Sequence, residues 1–176
     1  GSTNIAATGT LNISGGSIKV LDTRTLNNAG TATWSGGNTL LNNGAHFNNL
    51  AGAVFEVQSN DALSFSAAPA GTFNNEGTFV KSAGSGTTTV TVPFNNSGTV
   101  QAQTGTLSLT EDVTNTGLIQ AAGGTVIIDP SASGFTNEGT LRADAGSTLT
   151  VTDNLNNFSG TTLTGGTYEV LGTMRL

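Results

Sequence analysis

The acidic side chains are the residues whose chemistry could support catalysis, and they are thinly spread. Glu76 and Glu138 occupy equivalent places in two copies of a sequence repeat, and Glu111 and Asp112 form the one adjacent acidic pair. Glycoside hydrolysis needs two carboxylates about 5–10 Å apart. If the copies stack as parallel strands, three intervals would separate Glu76 from Glu138 by about 14 Å. The carboxylates therefore do not predict a hydrolase.

The basic side chains do not complete a catalytic site either. A polysaccharide lyase would want Lys or Arg beside its acids, and Lys81 and Arg142 are the candidates for that role. The five basic residues are spread over the chain, and the formal net charge is −6. Nucleic-acid binding needs clustered Lys and Arg. We predict that the chain is not an enzyme and does not bind nucleic acid.

Metal and cofactor chemistry has little support in the residue types. The chain has no cysteine, which excludes thiolate ligands and disulfides. Tandem calcium-binding loops and EF-hand loops are absent. An incidental calcium site near Glu111, Asp112 or Asp129 stays open, although solvated corner carboxylates are favoured. The single His46 lies among Asn and Gly residues, which favours a surface turn, and we predict no cofactor.

A repeat of about 21 residues must position these side chains. Each copy starts with an apolar residue, here called the anchor, and subtraction gives steps of 21, 21, 26, 21, 19, 22 and 20 residues. The anchors are Ile5, Leu26, Phe47, Phe73, Phe94, Val113, Phe135 and Leu155. A fixed period of this length is typical of solenoid proteins, in which each copy forms one coil.

An asparagine stands two residues after the anchor in every copy except the first, which has Ala7 there. These residues are Asn28, Asn49, Asn75, Asn96, Asn115, Asn137 and Asn157. A glycine such as Gly77 or Gly98 follows two residues later; in two copies it slips by one, to Gly52 and Gly160. Asparagine tolerates turn conformations, and identical amides in register can bond along a stack. We interpret the column as an inward-facing corner ladder that binds nothing outside the chain.

Apolar residues alternate with a period of two after the glycines, which predicts short strands with one buried face. Leu107 and Leu109 follow the second glycine of their copy, as do Ile18 with Val20 in the first copy and Tyr168 with Val170 in the last. Trp34 takes an inward offset, and its indole N–H then needs a partner. Strands this short are stable only when equivalent strands stack.

The sequence therefore predicts an all-β, right-handed parallel β-helix (β-solenoid) of about eight coils, roughly 34 Å long and without helices. Its core would include the stacked anchors Phe47, Phe73, Phe94 and Phe135. A rival antiparallel sandwich does not require the same residue types at the same offset in every copy. Two interruptions stand out: Ser66–Gly71, read as a loop leaving the coil, and Phe158, read as a local bulge.

The form F-N-N-x-G-T-V/L followed by G-T-L-x-V/L resembles bacterial exported β-helix repeat proteins. These include filamentous-haemagglutinin-like adhesins, autotransporter passengers and β-strand repeat proteins. The resemblance covers nearly the whole chain and implies a secreted or cell-surface location with a spacer or adhesive role. The first copy departs by its missing Asn, and the last by Phe158.

The domain organisation follows from the repeat. We expect residues 1–176 to form a single solenoid segment cut from a longer repeat protein, with residues 1–2 as a cloning scar. The expected function is a structural or adhesive module of a fibrous surface protein, acting as a rigid spacer or stalk. The alternatives are a carbohydrate- or receptor-binding adhesin module and, less favoured, a polysaccharide-active enzyme. Expected partners are neighbouring repeats, end-to-end copies, and a surface glycan or receptor, without membrane insertion.

Overall fold

The fold is a parallel β-solenoid of about eight coils, and the computed structural model describes residues 1–176. Most coils contribute three short strands joined by tight turns, and no residue is helical. The predicted all-β solenoid is therefore confirmed. Because the structure has no α-helix, no helix is present that could cross a membrane.

The strands are all two to four residues long. In chain order they are β1 (Ser2–Ile5), β2 (Thr10–Ile13), β3 (Lys19–Asp22), β4 (Thr25–Asn28), β5 (Thr31–Trp34), β6 (Thr39–Asn42), β7 (His46–Asn49), β8 (Val54–Val57), β9 (Ala62–Ser64), β10 (Thr72–Asn75), β11 (Thr78–Lys81), β12 (Thr87–Val90), β13 (Phe94–Asn96), β14 (Thr99–Ala102), β15 (Thr106–Leu109), β16 (Val113–Asn115), β17 (Leu118–Ala121), β18 (Thr125–Ile128), β19 (Thr136–Asn137), β20 (Thr140–Ala143), β21 (Thr148–Val151), β22 (Phe158–Ser159), β23 (Thr162–Leu163), β24 (Thr167–Val170) and β25 (Thr173–Arg175).

Three parallel sheets run the length of the solenoid. Sheet A has the order β1-β4-β7-β10-β13-β16-β19. Sheet B has the order β2-β5-β8-β11-β14-β17-β20-β24, and sheet C has the order β3-β6-β9-β12-β15-β18-β21-β25. The remaining pair, β22 and β23, forms a small antiparallel hairpin outside the three sheets.

The core is built from side chains stacked in register between the sheets. Phe73 pairs with Phe47 on one side and Phe94 on the other, with ring centroids 5.0 and 5.3 Å apart and the rings nearly parallel. A second stack, Phe55 on Phe79, lies in sheet B and meets the first edge to face. The four anchors Phe47, Phe73, Phe94 and Phe135 are all buried, so the apolar interior is continuous from coil to coil.

The corner between sheets A and B is occupied by glycine in most coils because successive backbones touch there. A Cβ added to Gly98 would lie 2.1 Å from the carbonyl oxygen of Gly77 in the coil before. In the third coil Ala53 takes this place, since the amide of Thr78 donates to its carbonyl. The expectation that Gly52 belongs to the column was wrong: Gly52 instead has a φ of +83° in the preceding turn.

The first coil differs from the sequence prediction in two places. Thr3, and not Ile5, pairs with Leu26, so Ile5 stands in the asparagine column beside Asn28. In sheet C, Leu21 pairs with Leu41, and Ile18 and Val20 are 60% and 56% exposed. A one-residue change of register exchanges the two faces of a strand, which is why the predicted inward pair points outward.

The last coil also departs from the prediction. Thr167 pairs with Thr140, so Tyr168 and Val170 belong to sheet B and not to the strand after the second glycine. Gly166, and not Gly160, precedes this strand. Phe158 begins the antiparallel β22–β23 hairpin, so its reading as a local bulge was wrong. Leu155 still bridges in parallel to Phe135.

The segment Ser66–Gly71 lies outside the strands, as the sequence predicts, but it follows the coil below it. The amides of Ser66 and Ala67 donate to Oδ1 of Asn42, and the amide of Gly71 donates to the carbonyl of Leu41. This segment is therefore a corner that hydrogen bonds hold against the preceding coil. The expectation of a loop leaving the coil was wrong.

Candidate functional site: two asparagine ladders and a polar groove

A buried ladder of side-chain amides runs along the corner between sheets A and B. In each step Nδ2 of one asparagine donates to Oδ1 of the asparagine in the next coil, at 2.7–2.9 Å. The ladder consists of Asn28, Asn49, Asn75, Asn96, Asn115 and Asn137, all at most 2% exposed. The predicted asparagine ladder is thus present, and we call it the inner ladder.

Each inner asparagine also holds the backbone of the corner. Nδ2 of Asn75 donates to the carbonyl of Thr99 at 3.0 Å and, more distantly, to that of Gly77 at 3.3 Å. These bonds use amide and carbonyl groups that would otherwise lie unpaired away from water. The recurring N-x-G spacing is explained by this geometry, because the asparagine bonds across the turn that the glycine permits.

The inner ladder ends on Asn157. Its Oδ1 accepts from the backbone amide of Asn137 at 2.7 Å, and its Nδ2 donates to the carbonyls of Asn137 and Thr164. Asn157 therefore changes partner, from the side chain of the previous asparagine to its backbone. It ties the β22–β23 hairpin region to the last regular coil.

A second ladder, which the sequence analysis missed, runs on the outer face of sheet A. Here Nδ2 donates toward the preceding coil: Asn27 to Asn4, Asn48 to Asn27, Asn74 to Asn48 and Asn95 to Asn74, at 2.7–2.9 Å. The signal for it was the doubled N-N of the repeat, which places one amide inside and its neighbour outside. The two ladders point their amide donors in opposite directions along the solenoid.

The outer ladder stops near the C-terminal end of sheet A. Thr114 takes the next place and donates to Oδ1 of Asn95 at 2.9 Å. Thr136 follows in register, and no side-chain hydrogen bond joins it to Thr114. A cavity of about 420 Å³ lies over these threonines, with Asp112 and Ser133 on one side and Glu138 on the other. We call this cavity the polar groove.

The polar groove continues toward the N-terminus. A smaller cavity of about 190 Å³ shares Thr114 and Thr116 with it and extends to Asn74 and Glu76. Glu76 and Glu138 therefore flank opposite ends of one elongated depression. Sequence reasoning placed both glutamates in one column, and their positions next to Asn75 and Asn137 in the paired strands agree with that.

Hydrogen bonds favour the ionised form of Asp112 in this groove. The hydroxyls of Ser131 and Ser133 donate to its Oδ1, the latter at 2.6 Å, and these bonds lower the pKa of the Asp112 carboxyl. A general acid in glycoside hydrolysis needs the opposite, a raised pKa. No group of three or more acidic, His or Cys side chains is placed to hold a metal ion. The arrangement can accept hydrogen bonds but does not resemble a catalytic pair.

The basic candidates of the sequence analysis lie apart from the groove. Arg142, on the outer face of sheet B, pairs with Asp144 at 2.6 Å and with Glu169 at 3.1 Å. Lys81 faces inward, in one column with Val57 and Ala102, and is fully buried. The sequence does not predict that burial, because it presents Lys81 only as a candidate partner for acidic residues.

Neutral oxygens surround the Lys81 ammonium group. Its Nζ donates to the carbonyl of Ser59 at 2.9 Å, and to the Asn60 side chain, the Ala83 carbonyl and Oγ1 of Thr88, each at 3.1 Å. Burial lowers the pKa of Lys81, because no carboxylate compensates the desolvated charge. The ammonium group makes its hydrogen bonds inside the coil and is not available to an external substrate.

The other singled-out residues have structural surroundings. Trp34 is fully buried, and its indole N–H donates to the carbonyl of Gly37 at 2.8 Å, the partner that its inward offset required. His46 is exposed but begins strand β7, where the sequence analysis favoured a turn. Asp129 accepts from the hydroxyl of Thr152 at 2.5 Å, and Glu111 has no such partner.

The N-terminal end of the solenoid opens into an apolar cavity of about 290 Å³. Leu11, Ile13 and Leu21 of the first coil line it, together with Leu41 and Phe47 of the next coils. Here β1, β2 and β3 are the edge strands of the three sheets. Unpaired strand edges beside an apolar interior can accept another coil.

Comparison with known proteins gives no further identification. No family model matches the chain, and neither a curated protein nor a solved structure is significantly similar to it.

Proposed function

We propose that this chain is a structural module of a secreted or cell-surface fibrous protein, where it acts as a rigid spacer or stalk. The observation that carries the proposal is the pair of oppositely directed asparagine ladders beside three unbroken parallel sheets. Every coil is bonded to the next through backbone and side chains on several faces. A load along the axis is therefore shared among many bonds.

The proposed location rests on the repeat motif and on residue usage. The F-N-N-x-G-T pattern resembles exported β-helix proteins, and a polar, cysteine-free surface with few charges suits an extracellular module. An antibody against the folded chain should label intact cells of the source organism. Labelling that requires permeabilised cells would contradict the proposed location.

We further propose that the edge strands at the two ends stack on other coils. Within a longer fibre these would be neighbouring repeats, and in the isolated chain they would be second copies joined end to end. Parallel stacking would continue the three sheets and cover the apolar cavity at the first coil.

Single-molecule pulling tests the mechanical role. With the chain held at its two termini, we expect coils to detach one after another. Each event should release about 70 Å of contour for a 21-residue coil. Asn75→Ala should lower the force of detachment, with Asn74→Ala as the matched variant in the outer ladder. Smooth extension without discrete events would contradict a load-bearing role.

A further inference from the structure

The polar groove occupies a place where the outer ladder loses its amides. Five successive asparagines occupy the outer face of sheet A, and each of the last four donates to the one before; they are Asn4, Asn27, Asn48, Asn74 and Asn95. The next two positions carry the shorter side chains of Thr114 and Thr136. Asparagine returns with Asn156, whose Nδ2 lies 3.3 Å from Oγ1 of Thr136. The groove is thus a two-residue gap in an otherwise continuous amide row.

The lining restricts the chemistry of a ligand. No Lys or Arg lines the groove, so an anion would meet two carboxylates without a compensating charge. Val113 is the one apolar residue of its lining and is only 5% exposed, so apolar contact in the groove would come from the methyl groups of threonines such as Thr114 and Thr136. The acidic side chains are not grouped to ligate a metal. The remaining groups are hydroxyls, amides and carboxylates, which donate to and accept from hydroxyl groups.

Asp112 already accepts hydrogen bonds from hydroxyl groups within the protein. Two serine hydroxyls, from Ser131 and Ser133, donate to the same carboxylate oxygen at the wall of the groove. Its other oxygen is free of side-chain donors. Glu138 lines the same cavity and directly follows strand β19 (Thr136–Asn137).

We infer that the polar groove binds a neutral oligosaccharide lying along the solenoid axis. The groove and its smaller continuation extend from Glu76 to Glu138, which is three coils or about 14 Å. An elongated, hydroxyl-rich chain fits that shape, and the repeated amides and threonine hydroxyls present donors and acceptors at the coil spacing. Asp112 and Glu138 line the groove and would accept hydroxyls from different sugar residues.

The test is a titration of the 176-residue chain with neutral hexasaccharides, namely maltohexaose, cellohexaose and xylohexaose, followed by amide chemical shifts in NMR. We expect at least one of them to shift the amides of Thr114–Thr116 and Thr136 at millimolar concentration or below. Spermidine serves as the cationic probe, because a ligand drawn only by the carboxylates would be an amine.

A double variant, Thr114→Asn with Thr136→Asn, extends the outer ladder and fills the groove while keeping the fold. It should weaken hexasaccharide binding by at least about tenfold, equivalent to ~1.4 kcal/mol. Thr33→Asn, on the outer face of sheet B, is the matched control and should leave binding unchanged. Circular dichroism verifies that both proteins are folded.

Three results would overturn the inference. One is the absence of amide shifts with all three hexasaccharides, and another is hexasaccharide binding that the double variant does not weaken. The third is a response to spermidine alone. None of these results would contradict the spacer proposal, because that proposal depends on the ladders and sheets and not on a ligand.

Discussion

Nδ2 of Asn75 donates to Oδ1 of Asn96 at 2.8 Å, and both side chains are buried. Asn75 also accepts from Nδ2 of Asn49, so its removal orphans groups in the coils on either side. A buried group left without a partner costs about 1–3 kcal/mol. The inner ladder is therefore a chain of mutually dependent contacts, and its interior members should be the most sensitive positions of the solenoid.

Asn75→Ala should lower the free energy of unfolding by about 3 kcal/mol, because it leaves a buried donor and acceptor unpaired. Asn74→Ala, the neighbouring residue in the part-exposed outer ladder, should cost about 1 kcal/mol, since water can replace its partners. Denaturant unfolding measures both variants. Equal losses for the two would show that burial of the inner ladder is not what matters.

Phe73→Ala should destabilise the chain by about 3–5 kcal/mol, because the ring packs between Phe47 and Phe94 and meets Phe55 and Phe79 edge to face. Phe158→Ala is the comparison, since Phe158 is 44% exposed on the hairpin. Its effect should stay within about 0.5 kcal/mol. Thermal and denaturant unfolding give both values, and a mild loss at Phe73 would argue against a close-packed aromatic core.

Lys81 should make stability depend on alkaline pH. Burial lowers its pKa in the folded chain below the usual 10.5, so the unfolded chain binds more protons between the two pKa values. The free energy of unfolding attributable to Lys81 should therefore rise as pH increases through that window and level off above 10.5. Below the folded pKa, both states carry the charge and the desolvation cost is fully present.

Lys81→Met removes this titration while retaining a long side chain. The difference in stability between the parent chain and the variant, measured from pH 8 to 11, isolates Lys81 from the tyrosine and the other basic groups. A difference that does not change across this range would mean that the lysine is solvated in the folded chain.

Stacking through the chain ends should make the apparent mass of the isolated chain rise with concentration in light scattering. Val170 stands in an inward column of the last coil yet is 55% exposed. Val170→Lys should suppress the rise, because a charge would enter the new interface. Thr33→Lys, placed on a side face, should not. A strict monomer at high concentration would refute end-to-end stacking.

The period, the anchors and the inner ladder could be predicted because they recur at constant offsets. Phe73 has an apolar counterpart and Asn75 an asparagine counterpart at the same offset in each central copy, and identical residues in register reinforce each other. The first and last coils could not be predicted in the same way. Ile18 and Val20 alternate like a buried pair, but register, which a single strand does not encode, places Leu21 against Leu41.

The polar groove was harder to foresee for a related reason. Thr114 and Thr136 are ordinary strand residues. They indicate a groove only when they are seen to interrupt the row of outer asparagines, and that row was not predicted from the sequence. Lys81 was missed because a basic residue is expected at the surface. Its burial depends on four oxygen atoms that accept hydrogen bonds from Nζ and come from three other segments. No local sequence pattern predicts that these segments meet.

The central claim is that the coils form one rigid rod, and spin-label distances test it most directly. Asn12, Gln101 and Glu169 lie in one outward column of sheet B, and the chain has no native cysteine to compete for labels. Cysteine pairs at 12 and 101 and at 12 and 169 span four and seven coil intervals. Double electron–electron resonance should give narrow distributions with backbone separations of about 19 and 34 Å. Broad distributions, or a separation that does not grow with the number of coils, would contradict the account.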